Sequence, residues 1–110
     1  MEDFLVSLSI NDLYKSSKNT TWRKQKKKKS IVIYKFLKEH KLIIVDPFDE
    51  NGNLKMDFTL MESHLTNVGS EMFKKTIPSW ERARDKDGNL ENLAILEKGL
   101  EKIRASMGIA

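Results

Sequence analysis

The chain has 110 residues, enough for one domain around one core. It carries 20 Lys and Arg against 16 Asp and Glu, a net charge of +4, and no cysteine, which excludes disulfides and thiolate metal sites and fits a reducing cytosol. The acidic start Met1-Glu2-Asp3-Phe4 argues against a secretory signal, and no apolar run approaches a membrane span, so a single cytoplasmic domain over 1–110 is expected.

Charge is laid out unevenly. Residues 1–45 hold 11 cations against 4 carboxylates, residues 46–70 hold 1 against 5, and residues 71–110 hold 8 against 7. The sequence is therefore dipolar rather than uniformly basic.

Ser9 stands three residues before Asp12, a capping pattern that predicts a short helix from about Ile10. Ser16 to Thr21 reads as a polar turn, with Thr20 or Thr21 capping a helix from Trp22 to about His40. Its first half is cationic, and its second half sets Ile33, Phe36, Leu37 and His40 on one face. Leu42 to Val45 is apolar and rich in β-branched residues, which predicts a strand stopped by Asp46-Pro47. Asn51-Gly52 signals a turn, and Leu54, Met56, Phe58 and Leu60 then alternate with Lys55, Asp57 and Thr59. The two runs predict an antiparallel hairpin between about residues 42 and 61.

Thr66 is placed to cap the next helix, whose apolar face is Val68, Met72, Phe73, Ile77 and Trp80, and Pro78 must kink or restart it. Asp85 to Asn89 reads as a turn, with Asn89 capping a last helix built on Leu93, Leu96, Leu100 and Ile103 before Gly108. Phe58, Phe73, Trp80, Leu96 and Leu100 are expected to share the core. The fold expected is α+β and mostly helical, winged-helix-like, with four to five helices and one antiparallel β-hairpin.

Little in the sequence points to catalysis. His40 and His64 have no second ligand at metal spacing. The acidic turns before Gly52 and Gly88 place Pro47 and Ala83 where a calcium loop needs its first oxygen ligand. No nucleotide-binding or nucleophile motif is present. The reading is a binding protein, not an enzyme, with no cofactor, no metal, no membrane and no small-molecule substrate. Two charge clusters could make contact. The acidic one is Asp46, Asp49, Glu50 and Asp57, with Phe48 as an apolar anchor at the hairpin tip. Asp49 and Glu50 lie in the turn, so reversing their charges should leave the fold nearly intact. The basic one is Arg23, Lys24, Lys26, Lys27, Lys28 and Lys29, with Lys35 further along and Trp22 available to stack on a base.

Two resemblances sharpen these expectations. Ile31 to Ile43 resembles a recognition helix with its leucine-rich exit, and Leu65-Thr66-Asn67-Val68-Gly69 resembles the L-T-x-x-G that follows the wing in many bacterial winged-helix regulators. The wing tip Asp46-Pro47-Phe48-Asp49-Glu50 departs from that family, because its carboxylates would repel phosphate. Asp12-Leu13-Tyr14-Lys15, Asp46 to Leu54, His64-Leu65-Thr66 and Leu96-Glu97-Lys98-Gly99-Leu100 are similar to segments of small immunity proteins from bacterial contact-dependent growth-inhibition loci. That resemblance implies binding and neutralisation of a toxin domain, many of which are nucleases, with the acidic loop as the contact. The winged-helix resemblance implies DNA or RNA as the alternative partner, held by the basic cluster.

Overall fold

A computed structural model describes residues 3–108; Met1 and Glu2 of the acidic start lie outside the described residues. In chain order the elements are β1 (Leu5–Ser7), α1 (Ile10–Ser16), α2 (Thr20–Glu39), β2 (Leu60–Met61), a 3-10 turn (Glu62–His64), α3 (Asn67–Lys75), α4 (Ile77–Asp87) and α5 (Ala94–Ser106). The fold is α+β and mostly helical: among the described residues there are five α-helices and one two-stranded antiparallel sheet.

Helix starts follow their side chains. Ser9 caps α1 by accepting from the Asp12 N–H, and Thr66 caps α3 by accepting from the Gly69 N–H. Asn19, rather than Thr20 or Thr21, caps α2 through its bond from the Trp22 N–H at 2.9 Å. Pro78 does restart the chain: α3 ends at Lys75, and α4 begins at Ile77 with the proline in its first turn, where its missing N–H costs nothing. The turn expected at Asp85 is still helix. α4 runs to Asp87 and closes on Gly88, whose φ of 68° is the left-handed cap. Asn89 does not cap α5; the nearest side-chain bond is from the Ala94 N–H to Asn92.

The strands are not the pair the sequence predicts. β1 pairs with β2, Leu5 opposite Met61 and Ser7 opposite Leu60. Leu42 to Val45 keeps one isolated bridge, Ile43 to Leu65, and leaves Ile44 69% exposed. The cause lies at the end of α2. Lys41 takes a φ of 57°, its N–H bonds the Lys38 carbonyl, and the Leu42 N–H bonds the Leu37 carbonyl at 2.8 Å. That double bond is a Schellman closure, here with lysine where glycine is usual, and it turns the chain before a strand can extend. The second run breaks because the Asn11 N–H takes the Met56 carbonyl and the chain turns at Met56-Asp57. Its alternation survives in part as burial: Leu54 and Leu60 are buried, Met56 and Phe58 half-buried, Lys55 and Asp57 exposed, while Thr59, expected on the outer face, is half-buried. Between the two runs only Phe48 and Leu54 bridge, around the turn at Gly52.

The core gathers Ile33, Phe36 and Leu37 of α2, Leu60, Met72 of α3, Trp80 of α4, and Leu96, Leu100 and Ile103 of α5. Phe58 and Phe73, expected inside, pack only partly buried against it. Two glycines allow close approach. A Cβ on Gly69 would lie 2.4 Å from the Leu42 carbonyl oxygen, and one on Gly99 would meet Thr76 at 2.3 Å. The Thr66 N–H and hydroxyl both bond that same Leu42 carbonyl, at 3.0 and 3.3 Å. The L-T-x-x-G segment is thus a clasp that holds the start of α3 on the exit of α2.

Candidate functional site

The acidic segment is braced from below. Pro47 and Phe48 are buried, so Phe48 is a core residue and not an exposed anchor, which corrects the sequence expectation. The reason is the sharp turn from Asp49 to Asn53, which brings Phe48 opposite Leu54 in a backbone bridge, both residues buried. Asp46 accepts from the Phe48 N–H and pairs with Lys38 at 2.9 Å; these bonds, the backbone one foremost, hold its carboxyl below the ordinary range. The Lys38 ammonium also stands 5.7 Å from the Phe48 ring centre. Asp49 accepts from the Asn51 and Asn53 N–H groups at 2.9 and 3.0 Å, so its charge builds the turn and its replacement would disturb the loop. Glu50 and Asp57 are exposed and have no salt-bridge partner among the described residues. Lys38, which the sequence reading passed over, ties this loop to α2.

The basic cluster divides by what it touches. Arg23 donates to the Ser17 and Tyr14 carbonyls at 2.7 Å each and lies over the Tyr14 ring, so it fastens α1 to α2. Lys29 is buried and paired with Asp85. Lys24, Lys28 and Lys35 are exposed, Lys27 is half-buried, and the Lys26 ammonium stands 5.7 Å from the half-buried Trp22 ring. Opposite them, Arg84 is buried, donates to the Asn92 carbonyl at 2.7 Å and pairs with Asp87 at 3.0 Å. A cleft of about 430 Å³ lies between these groups, lined by Trp22, Gln25, Lys26, Lys28 and Lys29 of α2 and by Arg84, Asp85, Gly88 and Leu90. No local sequence signal joins positions 22–29 to 84–90; only the packing brings them together.

His40 stacks on Phe36 with centres 4.3 Å apart, and His64 accepts from the Met61 N–H at 3.1 Å. Among the described residues no three His, Asp or Glu side chains gather where they could hold a metal ion, and no helix is long and apolar enough to cross a membrane. No protein-family model, curated protein or solved structure matches the chain significantly.

Proposed function

We propose that this protein is a cytoplasmic immunity protein that binds a cognate toxin domain, of the nuclease class, and covers its cationic active site with the acidic loop. The observation that carries the reading is the rigid presentation of that loop. Pro47 and Phe48 are buried beneath it, Asp46 is tied to Lys38, and Glu50 and Asp57 face solvent. A fixed loop loses little freedom on docking, and carboxylates held outward attract a site built for phosphate. The alternative, a winged-helix regulator gripping nucleic acid, has less support. Arg23 and Lys29 are spent on internal partners, and the expected wing is not a paired hairpin.

The test is co-expression with the variable C-terminal domain of a large secreted protein encoded immediately upstream. Protection from its toxicity is the expected result. The double variant Glu50→Lys/Asp57→Lys keeps the turn bonds of Asp49, so it should fold normally, bind more slowly and lose salt dependence. No such neighbour, or a neighbour whose toxicity is unchanged, refutes the reading. Full protection by the double variant at an unchanged association rate removes the acidic loop from the interface.

A further inference from the structure

We propose that the cleft between the first half of α2 and the end of α4 binds a nucleoside phosphate, free or at the end of a strand, with its base on Trp22 and its phosphate on Lys26 and Lys28. The inference is independent of toxin binding. Lys26 lies 12 residues before Lys38 on one helix, about 18 Å away at 1.5 Å per residue, so the cleft and the acidic loop sit toward opposite ends of α2.

Four cations, Lys26, Lys28, Lys29 and Arg84, line the cleft against one carboxylate, Asp85. Two of the four are sunk into the wall: Lys29 is 8% exposed and Arg84 6%. Lys29 is paired with Asp85 and Arg84 with Asp87, and both carboxylates stand half exposed. Arg84 Nε is buried with no hydrogen-bond partner. An anion in the cleft adds the negative charge that Lys26 and Lys28 lack, since neither has a salt-bridge partner among the described residues. Bare phosphate would leave the indole of Trp22 unused, whereas an aromatic base gains by stacking on it. The volume, about 430 Å³, lies within the range of small-molecule sites.

Tryptophan fluorescence gives the assay, because the chain has two tryptophans and Trp80 is fully buried. Titration with ATP at low salt should change the emission of the wild type and not of Trp22→Phe. Adenosine and inorganic tripolyphosphate should each bind about tenfold or more weakly than ATP, since each keeps half of the contacts. Lys26→Ala/Lys28→Ala should lose about tenfold or more in affinity with its circular dichroism unchanged, while Lys74→Ala, exposed and outside the cleft lining, should bind as the wild type does. A 5′-phosphorylated oligonucleotide run beside ATP distinguishes a strand end from a free nucleotide, and either satisfies the proposal. No emission change at millimolar ATP, tripolyphosphate binding as tightly as ATP, or undiminished binding by the double lysine variant overturns it.

Discussion

Gly69→Ala sets two opposing effects against each other. Alanine is the better helix former, and at an open helical position the change would stabilise by about 1 kcal/mol. Here the added methyl would stand 2.4 Å from the Leu42 carbonyl oxygen and 3.3 Å from a Leu65 methyl. The obstacle is backbone, fixed by the Schellman closure of α2, so it cannot rotate aside. Overpacking of this kind costs about 1–3 kcal/mol. Any shift that relieves it lengthens the bonds from the Thr66 N–H and hydroxyl to the same carbonyl, each worth about 1 kcal/mol. The net expectation is a loss of about 2 kcal/mol, or a fall in Tm of roughly 8–12 °C for a domain of this size. Thermal unfolding followed by circular dichroism measures it. A Tm unchanged or raised would mean that propensity wins and that the clasp on Leu42 is loose.

Leu37→Ala, at a fully buried position, should cost about 2–5 kcal/mol in urea unfolding, and Phe73→Ala distinctly less because that ring is only partly buried. Equal losses would contradict the placement of the core. Lys41→Gly should stabilise by about 1 kcal/mol, since φ 57° strains a lysine and suits glycine; a loss of stability would show that the side chain matters more than the backbone. Asp3 has its carboxyl pKa lowered, first by the Ser63 hydroxyl and then by the Ser63 N–H. A depressed folded pKa contributes stability that is present above the ordinary carboxyl pKa and lost as pH falls through the folded value. The stability gap between wild type and Asp3→Asn should therefore close as pH drops below about 4, and a gap that stays constant with pH would remove the assignment.

What the sequence revealed were the local decisions. Ser9 and Thr66 announce helix starts because a cap acts within three residues, and Pro78 announces a restart for the same reason. The alternation from Leu54 to Leu60 sorted inward from outward side chains except at the half-buried Thr59, and did not show the hydrogen-bond partner, because burial depends on the face and pairing depends on the whole fold. Lys41 hid the turn that ends α2, since nothing about a lysine advertises a positive φ. Phe48 was misplaced for a related reason: the sequence puts it beside a charged turn, and the turn folds it underneath. The cleft was half legible. Trp22 and the lysines stood out, but Arg84 and Asp85, more than fifty residues away, did not.

The pairing of Leu5–Ser7 with Leu60–Met61 has a consequence for the order in which the molecule can be made. A ribosome adding about 5–20 residues per second needs several seconds to deliver the second strand after the first. Throughout that interval β1 is a strand without a partner, beginning at Leu5 just after Phe4, two apolar side chains that stay largely exposed even in the finished fold. The helical contact between α1 and α2 lies within the first forty residues and is available much sooner. During synthesis the sheet can therefore close only after α1 and α2 are made, though ahead of α3, α4 and α5, which follow β2 in the chain, and until then the emerging strand is an unpaired edge that a chaperone can shield.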